Sequence, residues 1–321
     1  MAENSKATPL WHGTGEGMAT QDASCLIDAS TDVKSLRPPY WHPLELTGGV
    51  VASVDMVRLK LTFPNGGYEW MMDHADRIGD RDATSSWSIP PKQGHYKTMW
   101  TYGIGDSSVS LGVGLFTGAG KLDTHKGYLE LNPNKVAGHD LCDQLLYYIG
   151  SHVTGAEVKR YDLAYDIPAD KNVCRLSKDR RAYTCIVSNG TTEYLGQKNR
   201  PGYVKVYDKA AESGLEGPLT RVELTCDGAW TADQIEAAWP VVYGWTSDGD
   251  EARTLMKALV VSLGQRMERG DEVESILAIL DYRTREKVRA HLHSEVFELQ
   301  REAAEYAVRE SRSWAGRLSR R

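Results

Sequence analysis

Gln197-Lys-Asn-Arg-Pro-Gly-Tyr-Val-Lys-Val-Tyr-Asp-Lys-Ala-Ala-Glu212 runs from a turn into a stretch where polar and apolar residues alternate. Strand side chains point to opposite faces in turn. Tyr203, Lys205, Tyr207 and Lys209 therefore fall on one face, and Val204 and Val206 on the other. The valines mark the core side, and the other face carries a phenolic, cationic row that suits a phosphodiester. A phenol titrates near pH ~10 and needs a neighbouring cation, base or metal to become a nucleophile. Tyrosine is also a favoured strand residue and lysine a common guard of sheet edges, so a purely structural reading stays open on this stretch alone.

Working outward, Glu157 to Ile167 reads as a strand with Arg160, Asp162 and Asp166 on one face and Tyr161, Leu163, Tyr165 and Ile167 on the other. Leu219 to Cys226 opposes Arg221 and Glu223 to Val222 and Leu224. Val54 to Phe63 alternates most regularly, and further strands are expected at His95 to Tyr102, Ser108 to Phe116 and Gly127 to Leu131. A helix is expected from about His139 to Val153. Thr231 and Gln234 have capping-box spacing, opening a helix that stops at Pro240. Residues 64–93 read as a long loop or insert, and 171–195 as a helix followed by a strand.

The periodicity changes beyond about residue 250, where 252–266, 271–280 and 284–314 read as helices. The expectation is an α+β fold: an antiparallel sheet carrying the active site, packed with helices and followed by a helical C-terminal region. Its parts are a loosely ordered extension over 1–48, a catalytic unit over 49–246 and the helical region over 247–321.

The chain has 321 residues and a formal charge of -6, which argues against coating nucleic acid through bulk charge but leaves room for a local basic groove. The five cysteines lack paired CxxC spacing, so neither a zinc site nor a disulfide framework is expected. With no apolar run of ~20 residues and no signal-peptide pattern, the expectation is a cytoplasmic protein with no membrane partner.

Glu130, Asp162 and Glu223, if their strands neighbour in one sheet, would form an oxygen-rich site for Mg²⁺ or Mn²⁺, with Asp166 in reserve. Lys205, Lys209, Arg160 and Arg221 would hold the remaining anionic oxygens. Each acid taken singly reads as an ordinary ion-pair partner.

Five short segments in order carry a resemblance: Val54 to Phe63, Tyr128-Leu-Glu-Leu-Asn-Pro-Asn-Lys-Val-Ala-Gly-His-Asp140, Lys159-Arg-Tyr-Asp-Leu-Ala-Tyr-Asp166, Tyr203 to Glu212, and Thr220-Arg-Val-Glu-Leu224. Over roughly residues 53 to 240 the chain resembles rolling-circle replication initiators of the filamentous-phage gene II type and the plasmid Rep_trans family. The resemblance implies an enzyme of a bacterial phage or plasmid. Such an enzyme nicks one strand of a double-stranded DNA origin, stays attached to the 5′ phosphate through a tyrosine and leaves a 3′ hydroxyl as primer.

The nucleophile then falls on Tyr207, in a Tyr-x-Lys-x-x-Glu pattern read here as Tyr207, Lys209 and Glu212. Tyr203 becomes the fallback nucleophile or a base-stacking residue, and Lys198, Arg200, Arg160 and Arg221 become DNA contacts. Lys205 stands where family members often have arginine, a point charge in place of a bidentate fork. The nicked single strand is a further partner, and a host helicase and a homodimer are kept open.

Two alternatives are a mobilisation relaxase of the same lineage and a non-catalytic DNA-binding replication regulator. The paired histidines His291 and His293 match the letters of another nicking class, but they follow the tyrosine and fall in a stretch that reads as helix. His139 reads as a buried, hydrogen-bonded residue. The glycines of Gly112-Val-Gly114 and Gly118-Ala-Gly120 do not form a phosphate loop.

Overall fold

The computed structural model describes residues 43–75, 78, 84–88, 94–171, 174–176, 179–187, 191–247, 277–285 and 292–319. Its strands are β1 (Leu44–Glu45), β2 (Val51–Thr62), β3 (Thr84–Ser88), β4 (Tyr96–Ile104), β5 (Ser107–Phe116), β6 (Leu122–Leu131), β7 (Gly155–Ile167), β8 (Cys174–Leu176), β9 (Tyr183–Val187), β10 (Thr191–Leu195), β11 (Val204–Asp208), β12 (Thr220–Asp227), β13 (Val242–Ser247) and β14 (Leu292–Val296). The helices are α1 (Gly67–His74), α2 (Pro133–Val136), α3 (Asp140–Gly150), α4 (Lys209–Ser213), α5 (Ala232–Ala238) and α6 (Arg301–Ser319). The fold is α+β, as the alternation predicts.

Among the described residues one large antiparallel sheet runs β3-β4-β5-β6-β2-β7-β12-β11-β10-β9, with β1 paired to β2. A small sheet, β14-β13-β8, stands beside it. The apolar members of β7, β11 and β12, including Tyr161, Leu163, Val204, Val206, Val222 and Leu224, share one core with α3, α5 and α6 through Leu145, Ile149, Ile235, Ala303, Ala307 and Trp314. Helices thus cover the apolar face of these strands. The opposite face keeps the polar alternates, together with a small apolar group of Val51, Ala210 and Leu219 beside α4.

Several expectations are corrected. Residues 64–93 include α1 and β3 rather than forming one long loop. Between 171 and 195 the described residues contain strands β8, β9 and β10 and no helix. Tyr183-Thr-Cys-Ile-Val187 and Thr191-Thr-Glu-Tyr-Leu195 are rich in strand-favouring side chains and pair as neighbours, and such cross-strand pairing overrides a helical reading. His293 belongs to β14, a strand paired to β13, not to a helix, while His291 lies outside the described residues. The chain order, histidine after tyrosine, is unchanged.

The expected helix over 252–266, most of 271–280 and residues 1–42 of the expected extension also lie outside the described residues. The final helix, α6, packs across β7 and β2 and shares their core. No helix among the described residues is long and apolar enough to cross a membrane.

Candidate active site

The polar face of β7, β12 and β11 gathers the predicted residues by register. Arg221 lies opposite Asp166 on one side and Tyr207 on the other, while Glu223 lies opposite Lys205. Arg221 is fully buried and grips Asp166 through two hydrogen bonds, Nε to Oδ1 at 2.6 Å and Nη2 to Oδ2 at 2.9 Å. Its Nη1 lies 3.3 Å from Asp55 Oδ2. A guanidinium so committed is a positioning group under the site. Expected to meet DNA, Arg221 instead has no exposed surface with which to touch a phosphate.

Above this base the Tyr207 hydroxyl donates to Glu223 Oε1 at 2.6 Å. Lys205 Nζ lies 3.6 Å from the centre of the Tyr207 ring, and Lys209 Nζ 6.0 Å from it. Burial, then the charge of Glu223, pushes the Tyr207 phenol well above its usual range against the pull of Arg221. Burial and Asp55 raise the Glu223 carboxyl, so it has the proton affinity of a base rather than that of a free surface acid. The pair has the geometry of a nucleophile and its general base.

Lys209 departs from the expected strand position. Asp208 caps α4, its side chain accepting from the Ala211 amide at 2.8 Å, so Lys209 is the first helical residue and pairs with Glu212. Burial and the charge of Arg221 lower the Lys209 ammonium pKa against the pull of Glu212.

The four expected metal ligands separate into pairs. Glu130 is held by Arg58 Nε at 2.5 Å and lies 3.9 Å from Arg160, and Asp166 is consumed by Arg221. Asp162 and Glu223 remain, on neighbouring strands, joined by Asp55, which sequence reasoning missed. Asp55 projects where the β2–β7 register shifts between Val54 and Met56, a bulge that re-aims its side chain into the site. Asn132 and Asn134 donate to it at 3.1 and 3.2 Å. Burial raises its carboxyl, but Arg221, Lys209 and the two amides together bring it below the ordinary range. The available signal was that Asp55 is the only acid in the apolar run from Val50 to Phe63.

Among the described residues no three His, Cys, Asp or Glu side chains converge closely enough to enclose a metal ion. Asp162 nevertheless fits one. Its Oδ1 is buried without a hydrogen-bond partner, and burial, with Glu223 and Asp55 nearby, raises its carboxyl to about 7. Under-neutralised carboxylates of this kind suit a hard divalent cation, and Mg²⁺ is commonly held by one or two protein carboxylates with water or phosphate oxygens completing its shell.

The remaining expected DNA contacts lie around the turn before β11. Lys198 and Arg200 are exposed there, and Arg160 donates to the Asn199 carbonyl at 3.4 Å. The Tyr203 ring is stacked with that of Tyr194 at 6.0 Å between centroids. His139 caps α3, its ring accepting from the Leu141 amide at 3.3 Å; it is hydrogen-bonded as expected, but half-buried rather than buried.

No known family pattern matches this chain, and no curated protein matches it. Among solved structures the chain is similar to the rolling circle replication initiator protein from Geobacillus stearothermophilus, with 15% identity over 56% of this chain and 75% of that one, at a TM-score of 0.32.

Proposed function

We propose that this chain initiates rolling-circle replication of a phage or plasmid by nicking one strand of a DNA origin through Tyr207. The observation that carries the reading is the Tyr207 to Glu223 hydrogen bond of 2.6 Å, set over the buried Arg221–Asp166 pair and flanked by two lysines. A merely structural tyrosine does not require a half-buried carboxylate and two cations around its hydroxyl and ring.

In the reaction, the Tyr207 oxygen attacks the scissile phosphorus while its proton passes to Glu223. The bond from phosphorus to the 3′ oxygen breaks in line, and that oxygen leaves as the 3′ hydroxyl after taking a proton, for which Lys209 is the nearby donor. The 5′ phosphate stays on the tyrosine, so a later 3′ hydroxyl can reverse the step and close a circle without ATP. Tyr207 is only 5% exposed, so Lys205 must swing off the ring for the phosphate to approach, and its ammonium then pairs with a phosphate oxygen. Asp162 and Glu223, with Asp55 beside them, would hold Mg²⁺ or Mn²⁺, which supplies charge stabilisation to the phosphate oxygens.

Purified protein is incubated with supercoiled DNA carrying its own replicon's origin, with Mg²⁺ or Mn²⁺, and the products are run on denaturing gels. An origin-dependent nick with protein on the 5′ end, absent from Tyr207→Phe, is the expected result. A nick that survives in Tyr207→Phe moves the nucleophile elsewhere, with Tyr203→Phe tested next. Binding without any nick leaves a non-catalytic replication regulator.

A further inference from the structure

We propose that the face of β11, β10 and β9 next to Tyr207 is a stacking platform for the unpaired DNA strand, with Tyr194 and Tyr203 bearing its bases. The inference deepens the nicking reading and rests on it.

The register fixes which residues share that face. Tyr194 pairs with Lys205 on β11 and with Thr184 on β9, and Thr192 pairs with Ile186. Thr184, Ile186, Thr192 and Tyr194 therefore continue the surface that holds Lys205 and Tyr207. Their neighbours Tyr183, Glu193 and Leu195 turn to the other side, where Glu193 is buried against Lys171 and Tyr183. The site side of β10 and β9 thus carries no charge. Ile186 on it is 50% exposed, and the Tyr194 and Tyr203 rings lie nearly parallel, 18° apart.

An uncharged, partly aromatic ledge beside a cationic catalytic row is suited to one part of the substrate. Bases stack on aromatic rings without regard to sequence, while basic groups track the phosphates. The cations are placed accordingly, with Lys205 between the ledge and Tyr207, and Lys198 and Arg200 on the turn that delivers Tyr203. A duplex presents no base faces to such a ledge, so the occupant is a strand already unpaired at the nick. Tyr203 and Tyr207 are four residue steps apart, about 13 Å at the usual strand rise, so the platform meets bases within about four nucleotides of the scissile phosphate.

The test uses the full chain and a fluorescein-labelled oligothymidylate of about 12 nucleotides, within the size range of single-strand sites, read by fluorescence anisotropy. A single abasic position is moved along the oligomer. Wild type should lose about tenfold in affinity where the missing base belongs on the platform. Tyr194→Ala should bind the intact oligomer about tenfold more weakly and lose nothing further at that position, whereas Tyr194→Phe should stay within about threefold of wild type.

A ring that served packing alone would leave the abasic profile of the variant unchanged. Should Tyr194→Ala not fold, Tyr194→Leu, which keeps bulk but has no π-face, is read the same way. Unaltered affinity, or full abasic sensitivity in the variant, overturns the platform even if origin nicking is normal. The expected abasic profile without nicking overturns the nickase and leaves the platform standing.

Discussion

Replacing Asp166 with asparagine tests whether the site is built on a buried ion pair. Asp166 and Arg221 are both fully inaccessible, and the two short hydrogen bonds between them place a full positive charge against a full negative one out of water. Asparagine keeps the shape and one acceptor, but it removes the charge and turns amide donors toward a guanidinium that has only donors. Leaving one member of such a pair uncompensated costs about 3–5 kcal/mol.

Asp55, at 3.3 Å from the other guanidinium nitrogen, still shares the charge. The expected loss is therefore at the lower edge, about 3 kcal/mol, or roughly a hundredfold in the folding equilibrium. Guanidinium chloride unfolding followed by tryptophan fluorescence measures it as a lower midpoint at unchanged slope. The exposed pair Lys60–Glu157, at 3.4 Å, is the internal control, and Glu157→Gln should cost under about 1 kcal/mol. Replacing both buried partners, Asp166→Leu with Arg221→Met, should recover most of the loss. If Asp166→Asn lies within about 1 kcal/mol of wild type, the buried pair does not underpin the site.

Two further outcomes follow from the same geometry. Glu223→Gln keeps an acceptor near the Tyr207 hydroxyl but cannot take its proton, so single-turnover nicking should fall by about 10²–10⁴-fold while the variant unfolds cooperatively; nicking at the wild-type rate would remove Glu223 as the base. The Asp162 carboxyl is raised by burial from 3.8 to about 7, so the folded state holds its proton more tightly than the unfolded chain does. Its contribution to stability is full at low pH and is lost as pH rises through that window. Asp162→Asn should therefore raise the melting temperature at pH 8 relative to pH 5 and abolish any Mn²⁺-induced stabilisation, both read by scanning fluorimetry; a variant that melts below wild type at pH 8 would contradict the first expectation.

The alternation in Tyr203 to Tyr207, Glu157 to Ile167 and Leu219 to Cys226 was enough to sort core-facing from site-facing residues and to indicate an antiparallel sheet, because side-chain direction in a strand is a local property. The capping box at Thr231 and Gln234 and the end of α5 before Pro240 were legible for the same reason. Between 174 and 195 only one strand was legible, since β8 exists through pairing with β13, far along the chain, and propensity in a short segment does not register such a partner.

The sequence by itself therefore determined the polar face of the strand and the presence of Tyr207 and Lys205 on it, though not the helical start at Lys209. Only the tertiary structure decided which acids stand together. Glu130 belongs to Arg58 and Asp166 to Arg221, while Asp55 enters through a bulge and joins Asp162 and Glu223. Strand register and a one-residue shift set those distances, and neither is written in the periodicity of any single strand.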